Sequence, residues 1–191
     1  MIRFIEKKDI EAVYNIYKYY ILNTSITFEI TVPTLDDFIQ RVNNIAKTHP
    51  YIVYEVDNNI VGYAYASRYG VREAFNWSVE STVYLDNNCK GNGIGSRLYT
   101  ILLKLLEIQG FHTTYALITS SNQKSAVFHQ QLGFEHITTM KKIGYKFDEW
   151  HDINYYSLIL NQHTNPPKNI LNIEQLKKII YFDGDCIKYK N

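Results

Sequence analysis

Residues 79–96 read V-E-S-T-V-Y-L-D-N-N-C-K-G-N-G-I-G-S, a β-rich run that breaks into a loop with glycines at three alternate positions. Residues 94–109 follow, rich in leucine and closed by Gly110, as a helix with a C-terminal glycine would be; residues 113–119 then read as a buried strand. Strand, glycine loop, helix, strand is a βαβ-like unit, so the two strands flanking the helix are expected to run parallel. Gly91, Gly93 and Gly95 let backbone amides turn inward without Cβ clashes. The helix behind them offers unpaired N–H groups and the positive end of its dipole. The stretch reads as a pyrophosphate cradle, with a tight strand-to-helix turn as the plainer alternative.

Outward from this unit, residues 2–5 read as a strand, and Asp9 offers an N-cap to a helix carrying Ile10, Val13, Ile16, Tyr17, Tyr20 and Ile21. Thr34 with Asp37 three positions on opens a second helix. Residues 51–57 and 60–68, joined at Asn58-Asn59, predict an antiparallel hairpin, and residues 79–86 a third run. Downstream, Asn122 can cap a helix that ends at Leu132 before Gly133, followed by β-rich runs over 134–145 and 153–160. The order β-α-α-β-β-β-α-β-α-β-β predicts an α/β chain with a mixed sheet. Residues 1–160 form the predicted domain. Residues 161–191, opened by Asn165-Pro166-Pro167, predict an extension with a short helix over 173–180 and a hairpin at Asp183-Gly184. It carries five lysines against three acids, and is read as a packed or dangling end or as a lid or partner-binding arm.

Composition narrows the chemistry. The chain of 191 residues is 46% hydrophobic and 20% charged, which a disordered chain is not. Twenty Lys+Arg against nineteen Asp+Glu leave +1, so no global field draws it to nucleic acid or to an acidic membrane. Cys89 and Cys186 form no C-x-x-C pair and read as free thiols. The histidines show no metal spacing, so no metal is expected. The amino terminus is charged from Arg3 onward and no apolar run spans a bilayer, which predicts a soluble, cytoplasmic protein. The loop itself excludes two cofactors. Counted from Gly91, the last position of G-x-G-x-x-G is Ser96 and no acid stands at 111–117; nor does a Lys-Ser or Lys-Thr follow a glycine at P-loop spacing. A pyrophosphate carrier such as coenzyme A remains.

Lys90-x-x-Gly93-x-Gly95 after a strand resembles the R/Q-x-x-G-x-G/A signature of the GNAT acetyltransferases. T-S-I-T-F-E (24–29), R-E-A-F-N-W-S-V-E-S-T-V-Y-L (72–85), L-E-x-Q-G-F (106–111), S-N-Q-K-S-A-V-F-H-Q-Q-L-G-F (121–134) and G-Y-K-F-D-E-W-H-D (144–152) resemble the phosphinothricin N-acetyltransferase group. The resemblance implies a mostly antiparallel, twisted GNAT-like sheet flanked by helices, acetyl-CoA as donor and a small-molecule amine as acceptor, and it admits a homodimer. It implies that the backbone of Val83, Tyr84 and Leu85 pairs with the pantetheine arm. Lys90, Gly91, Asn92, Gly93, Ile94, Gly95 and Ser96 would cradle the pyrophosphate, with Asn122 near the cofactor arm.

A substrate ammonium must lose a proton before its amine attacks a thioester, and the leaving thiolate must gain one. The resemblance places the base at Glu80 and a histidine, donor or wall of the pocket, at His129. Phe28, Glu29, Arg72 and Phe75 match acceptor-pocket positions, with Phe75 standing where the group has tyrosine. Lys146, Trp150 and Asp152 also match, without an assigned role. Transfer to a small amino acid or analogue by a direct route is the expectation. The alternatives are a non-catalytic acyl-CoA sensor or interaction module, and peptide or protein N-acetylation.

Overall fold

The structure, a computed structural model, describes residues 1–89 and 91–190. Its elements follow in the order β1 (Ile2–Phe4), α1 (Ile10–Asn23), α2 (Leu35–Ala46), β2 (Tyr51–Val56), β3 (Asn59–Arg68), β4 (Ser78–Leu85), α3 (Ile94–Gln109), β5 (Thr113–Thr119), α4 (Gln123–Gln131), β6 (Glu135–Lys146), β7 (Glu149–Ile159), α5 (Ile173–Ile179), β8 (Ile180–Asp183) and β9 (Cys186–Tyr189). Seven strands form one sheet in the order β1-β2-β3-β4-β5-β7-β6, and β8-β9 form a separate hairpin. Every neighbouring pair is antiparallel except β4 and β5, which run parallel around α3 as the glycine-loop unit requires.

The alternation along the strands sends two different cores to the two faces. Toward α3, Val79, Ala116 and Tyr156 meet Leu98, Leu102, Leu105 and Leu106, a largely aliphatic layer. Toward α1 and α2, Tyr51, Tyr63 and Tyr84 pack with Tyr17, Tyr20 and Phe38 as an aromatic layer. Residues beyond 160 close over the first layer: Ile173, Leu176 and Ile180 are buried in it, Phe182 meets Phe4 edge-on at 5.1 Å, and Gln109 Nε2 donates to Leu171 O at 2.7 Å. The extension is packed against the sheet's domain.

Three local readings differ from the structure. The β2–β3 turn is Asp57-Asn58, one residue earlier, both at positive φ (49° and 63°), where Asn and Asp are tolerated. Asp9 does not cap α1; it closes a 3-10 turn over 7–9, its carboxylate accepting from Glu6 N at 2.8 Å and from both Arg3 Nη1 and Nη2. The fork outweighs the burial that would raise the Asp9 pKa and leaves it lowered. Finally, β7 begins at Glu149 rather than 153, because the chain reverses at Phe147-Asp148, again at positive φ (54° and 61°).

Candidate active site

β4 is the strand from which the site grows. Its ladder to β5 covers Ser78↔Thr113, Val79↔Thr114 and Glu80↔Tyr115 and goes no further, so the two strands part after Glu80. β3 stays paired with β4 as far as Leu85, which keeps the parted half of the strand extended. Between the parted halves opens a cleft of about 260 Å³. Its lining comes from both faces of the sheet: Tyr17, Phe28, Tyr65 and Glu80 from one side, Asn122, Ser125 and His129 of the α4 segment from the other.

Glu80 stands at the fork. Alternation puts it with Thr82 and Tyr84 on the aromatic face, where Tyr65, Tyr115 and Tyr155 are its neighbours across the sheet. It makes no ion pair or side-chain hydrogen bond with any described residue, and burial raises its pKa above the ordinary carboxylate range. Such a carboxylate takes up a proton more readily than an exposed one and has its lone pairs free.

On the other face, His129 is buried and both ring nitrogens are engaged, Nδ1 with Ser125 O at 2.8 Å and Nε2 with the Tyr99 hydroxyl at 3.0 Å. Burial lowers its pKa, opposed by the Ser125 carbonyl. Asn122 Oδ1 accepts from Ser125 N at 3.2 Å, so it caps α4 and lines the cleft at once.

The glycine loop lies at the open end of the parted half. Gly91 and Gly93 have φ of 90° and 73°, and a Cβ on either would meet nothing within 4 Å, so the loop's backbone faces open space at both. Gly93 is the N-cap of α3 and supplies no side chain to its first amides, which leaves them for a ligand. Gly95 rests on Leu85, joining the loop to β4. This backbone fits a pyrophosphate. Val83 and Tyr84 line the cleft, whereas the Leu85 carbonyl already accepts from the Tyr20 hydroxyl at 2.7 Å. Ile94 is buried, Asn92 and Ser96 are exposed, and Lys90 lies outside the described residues.

The four acceptor-pocket candidates part company. Phe28 lines the cleft, its ring laid over Gly144 so closely that any side chain there would collide with it. Glu29 pairs with Arg41 at 2.5 Å. Arg72 and Phe75 are exposed and do not reach the cleft; Phe75 packs edge-on against Tyr69 and lines a separate hollow with His49 and Arg68. The three residues without an assigned role acquire places. Lys146 is buried and donates to Thr27 O at 2.8 Å, tying β6 to the loop that carries Phe28. Asp152 accepts from Lys142 N at 2.7 Å and closes the irregularity in β6. Trp150 is exposed beside Tyr145. The cleft also contains Tyr17 and Tyr65, which lie in no quoted motif, and Thr27 and Ser125, which lie in two of them without an assigned role; each is an ordinary residue until the sheet brings it to the fork.

Comparison with known proteins follows the same lines. The acetyltransferase (GNAT) domain profile matches residues 2–155. A phosphinothricin N-acetyltransferase of Streptomyces viridochromogenes is 33% identical over 168 residues, 88% of this chain and 91% of that one. An L-methionine sulfoximine/L-methionine sulfone acetyltransferase of Salmonella typhimurium is 30% identical over 166 residues, covering 86% and 97%. Among solved structures, a GNAT superfamily phosphinothricin acetyltransferase from Sinorhizobium meliloti in complex with AcCoA superposes with a TM-score of 0.83 at 30% identity, covering 88% of this chain and 92% of that one.

Proposed function

The chain belongs to the GNAT acetyltransferase family, and from that premise we propose that it moves acetyl from acetyl-CoA to the α-amine of a small amino acid or analogue of the phosphinothricin or methionine sulfoximine type. The observation that carries this reading is the fork at Glu80: an unpaired carboxylate of raised pKa at the point where β4 leaves β5.

When bound, acetyl-CoA supplies an acyl group activated as a thioester. The chain's own residues do the rest. The Gly91–Ser96 loop and the start of α3 hold the pyrophosphate through backbone N–H groups, and the freed backbone of Val83 and Tyr84 binds the pantetheine arm as a neighbouring strand would. Glu80 takes the proton of the acceptor's ammonium, for which its raised pKa suits it, and so delivers a free amine by a direct route without an acyl-enzyme; as the C–N bond forms and the thioester C–S bond breaks, the second proton lost by the amine nitrogen passes to the leaving thiolate. The aromatic face with Tyr17, Phe28 and Tyr65 forms the acceptor's side of the cleft and excludes water. Glu29 acts from outside through Arg41, while Arg72 and Phe75 stand away from the cleft and are given no part in this step.

No helix among the described residues is long and apolar enough to cross a membrane. A cytoplasmic setting, where acetyl-CoA and free amino acids meet, completes the reading. So does a homodimer, for which the exposed Ile143, Tyr145, Phe147 and Trp150 on the β6–β7 hairpin supply an apolar surface. The test is acetyl-CoA-dependent thiol release with phosphinothricin, methionine sulfoximine and methionine sulfone, beside ordinary amino acids and a short peptide. Turnover with the analogues is expected. Binding of acetyl-CoA without release in any of them would favour the sensor, and turnover confined to the peptide would move the reading to protein N-acetylation.

A further inference from the structure

Behind the cleft runs a buried chain of polar groups to which the steps above give no part. Its direction follows from elementary valence. A carbonyl only accepts, so His129 Nδ1, 2.8 Å from Ser125 O, carries a proton. In the neutral ring Nε2 is then an acceptor, and its partner at 3.0 Å is the Tyr99 hydroxyl, which has one proton to give. Tyr99 must therefore accept at its other contact, from Ser81 Oγ at 2.7 Å, and Ser81 accepts from Thr114 Oγ1, also at 2.7 Å. The single Ser81 proton goes to Tyr99, the shorter contact, rather than to the Tyr115 carbonyl at 3.3 Å, and the chain then runs from Thr114 to Ser81 to Tyr99 to His129 to the Ser125 carbonyl. All four side chains are buried, where an unmade hydrogen bond is costly.

The ends of this chain are the two walls of the cleft. Thr114 stands in the β4–β5 ladder opposite Val79, Ser81 is the first β4 residue beyond it, and His129 lies across the opening on α4. Tyr99 of α3 spans between them without lining the cleft itself. Its ring sits among Phe128, Phe134 and His129, with centroids at 5.6, 5.9 and 4.9 Å, a cage that a phenylalanine would fill equally well. The hydroxyl is there for the polar chain, not for the packing.

We propose that Tyr99 is a positioning residue of the transfer reaction: together with the Ser125 carbonyl its hydroxyl fixes the tautomer of His129, and it holds the ring plane and, through Ser81, the place where β4 leaves β5. This rests on acetyl transfer in this cleft. The test is Tyr99→Phe in the full chain, with two readouts: ring-nitrogen NMR of His129, and kcat and KM with an acceptor that the unaltered protein turns over. The unaltered protein is expected to show one neutral tautomer, protonated at Nδ1. In Tyr99→Phe the ring loses its donor at Nε2 and Nδ1 can instead accept from Ser125 Oγ, 3.3 Å away, so the single tautomer gives way to a mixture; kcat falls about ten- to a hundredfold, as a misplaced wall of a reacting site costs, and KM for acetyl-CoA stays within about threefold. A retained tautomer, or an unchanged kcat, overturns the proposal. Should Tyr99→Phe fail to fold, Ser81→Ala breaks the next link without touching the aromatic cage; Tyr99 can still donate to His129 there, so this variant is read by kcat against KM, and an unchanged kcat overturns the proposal. Absence of turnover in the unaltered protein would sink the acetyl-transfer reading instead, while the tautomer would still decide whether Tyr99 sets His129.

Discussion

β4 is eight residues long and does two jobs along its length. From Ser78 to Glu80 it is paired on both edges, with Val79 wholly buried under α3; from Ser81 to Leu85 it keeps β3 and gives up β5. The paired half looks like any core strand. The parted half forms one wall of the cleft, touches the glycine loop through Leu85 and anchors the hydroxyl chain through Ser81. The difference teaches that this site is made by withdrawing a ladder, not by adding a loop, and that Glu80 matters because it is the last residue before the withdrawal.

The sharpest way to break that comparison is at its boundary. Glu80→Gln keeps shape and removes the proton acceptor, so kcat should fall about 10²–10⁴-fold with acetyl-CoA affinity retained, measured by thiol release and by calorimetry. The same variant carries a stability signature of definite sign. The folded-state pKa of Glu80 is raised by burial, so the folded chain holds this proton more tightly than the unfolded one; the stability that comes from it is present below the unfolded pKa and lost as pH rises through the folded pKa. Glu80→Gln should therefore melt higher than the parent near neutral pH and converge with it at acid pH. Loss of activity with lower melting at neutral pH would make Glu80 a structural residue.

The next effect belongs to the parted half. Gly93 adopts φ of 73°, which costs an alanine about 1–2 kcal/mol. In the ligand-free loop Gly93→Ala escapes that strain by relaxing, and binding reimposes it, so the Kd for acetyl-CoA should rise about 5- to 30-fold. An unchanged Kd would reduce the glycine loop to a strand-to-helix turn.

Of these two positions Gly93 is legible in the chain itself, for a physical reason, whereas Glu80 is named only by the resemblance. Glycine at positive φ, a cap at Asn122 and a glycine after a helix are local constraints, so the chain must write them where they act. The α3 boundaries and β5 follow for the same reason. What the sequence does not spell out is long-range. Ser81 meets Tyr99 eighteen residues away and Tyr99 meets His129 at thirty, and neither spacing leaves a periodic trace. The β6–β7 turn is hidden by its residues: Phe147 is a poor choice for positive φ, and that reversal is held by Lys146, whose ammonium lies 5.0 Å from the Phe147 ring and whose carbonyl accepts from His151. Arg72 and Phe75 are the converse case. A matching motif names them, but the exposed 3-10 turn ahead of β4 carries Phe75 to a different hollow from the one Phe28 enters and leaves Arg72 exposed at its start.

A smaller effect tests the paired half. Val79→Ala removes two buried methyl groups beneath α3 and should cost about 1.5–3 kcal/mol of stability. That lowers Tm by about 2–4 °C per kcal/mol in a chain of this size, with kcat little changed below the transition. A fall in kcat without a fall in Tm would show that the two halves of β4 are not separable.

The smallest expected effect concerns whether the extension belongs to the core or to the cleft. Arg97, in the first turn of α3, donates from Nη2 to Asn92 O in the glycine loop at 3.0 Å, and its Nε lies 3.5 Å from Asp185 Oδ2 at the tip of the β8–β9 hairpin. Tyr54 donates to the same carboxylate oxygen at 2.9 Å and lies under the guanidinium, so at residue 185 the extension reaches toward the cradle. Both charges are partly exposed, and such pairs contribute about 0–1 kcal/mol. Asp185→Asn should then shift Tm only slightly and the acetyl-CoA Kd by less than about threefold, because the extension's hold on the domain comes from Ile173, Leu176 and Ile180 and not from this contact. A tenfold change in Kd at unchanged Tm would overturn that division. It would mean that Arg97 must be held by Asp185 for the loop to keep its shape, and that the parted half of β4 extends its reach, through α3, to the last strands of the chain.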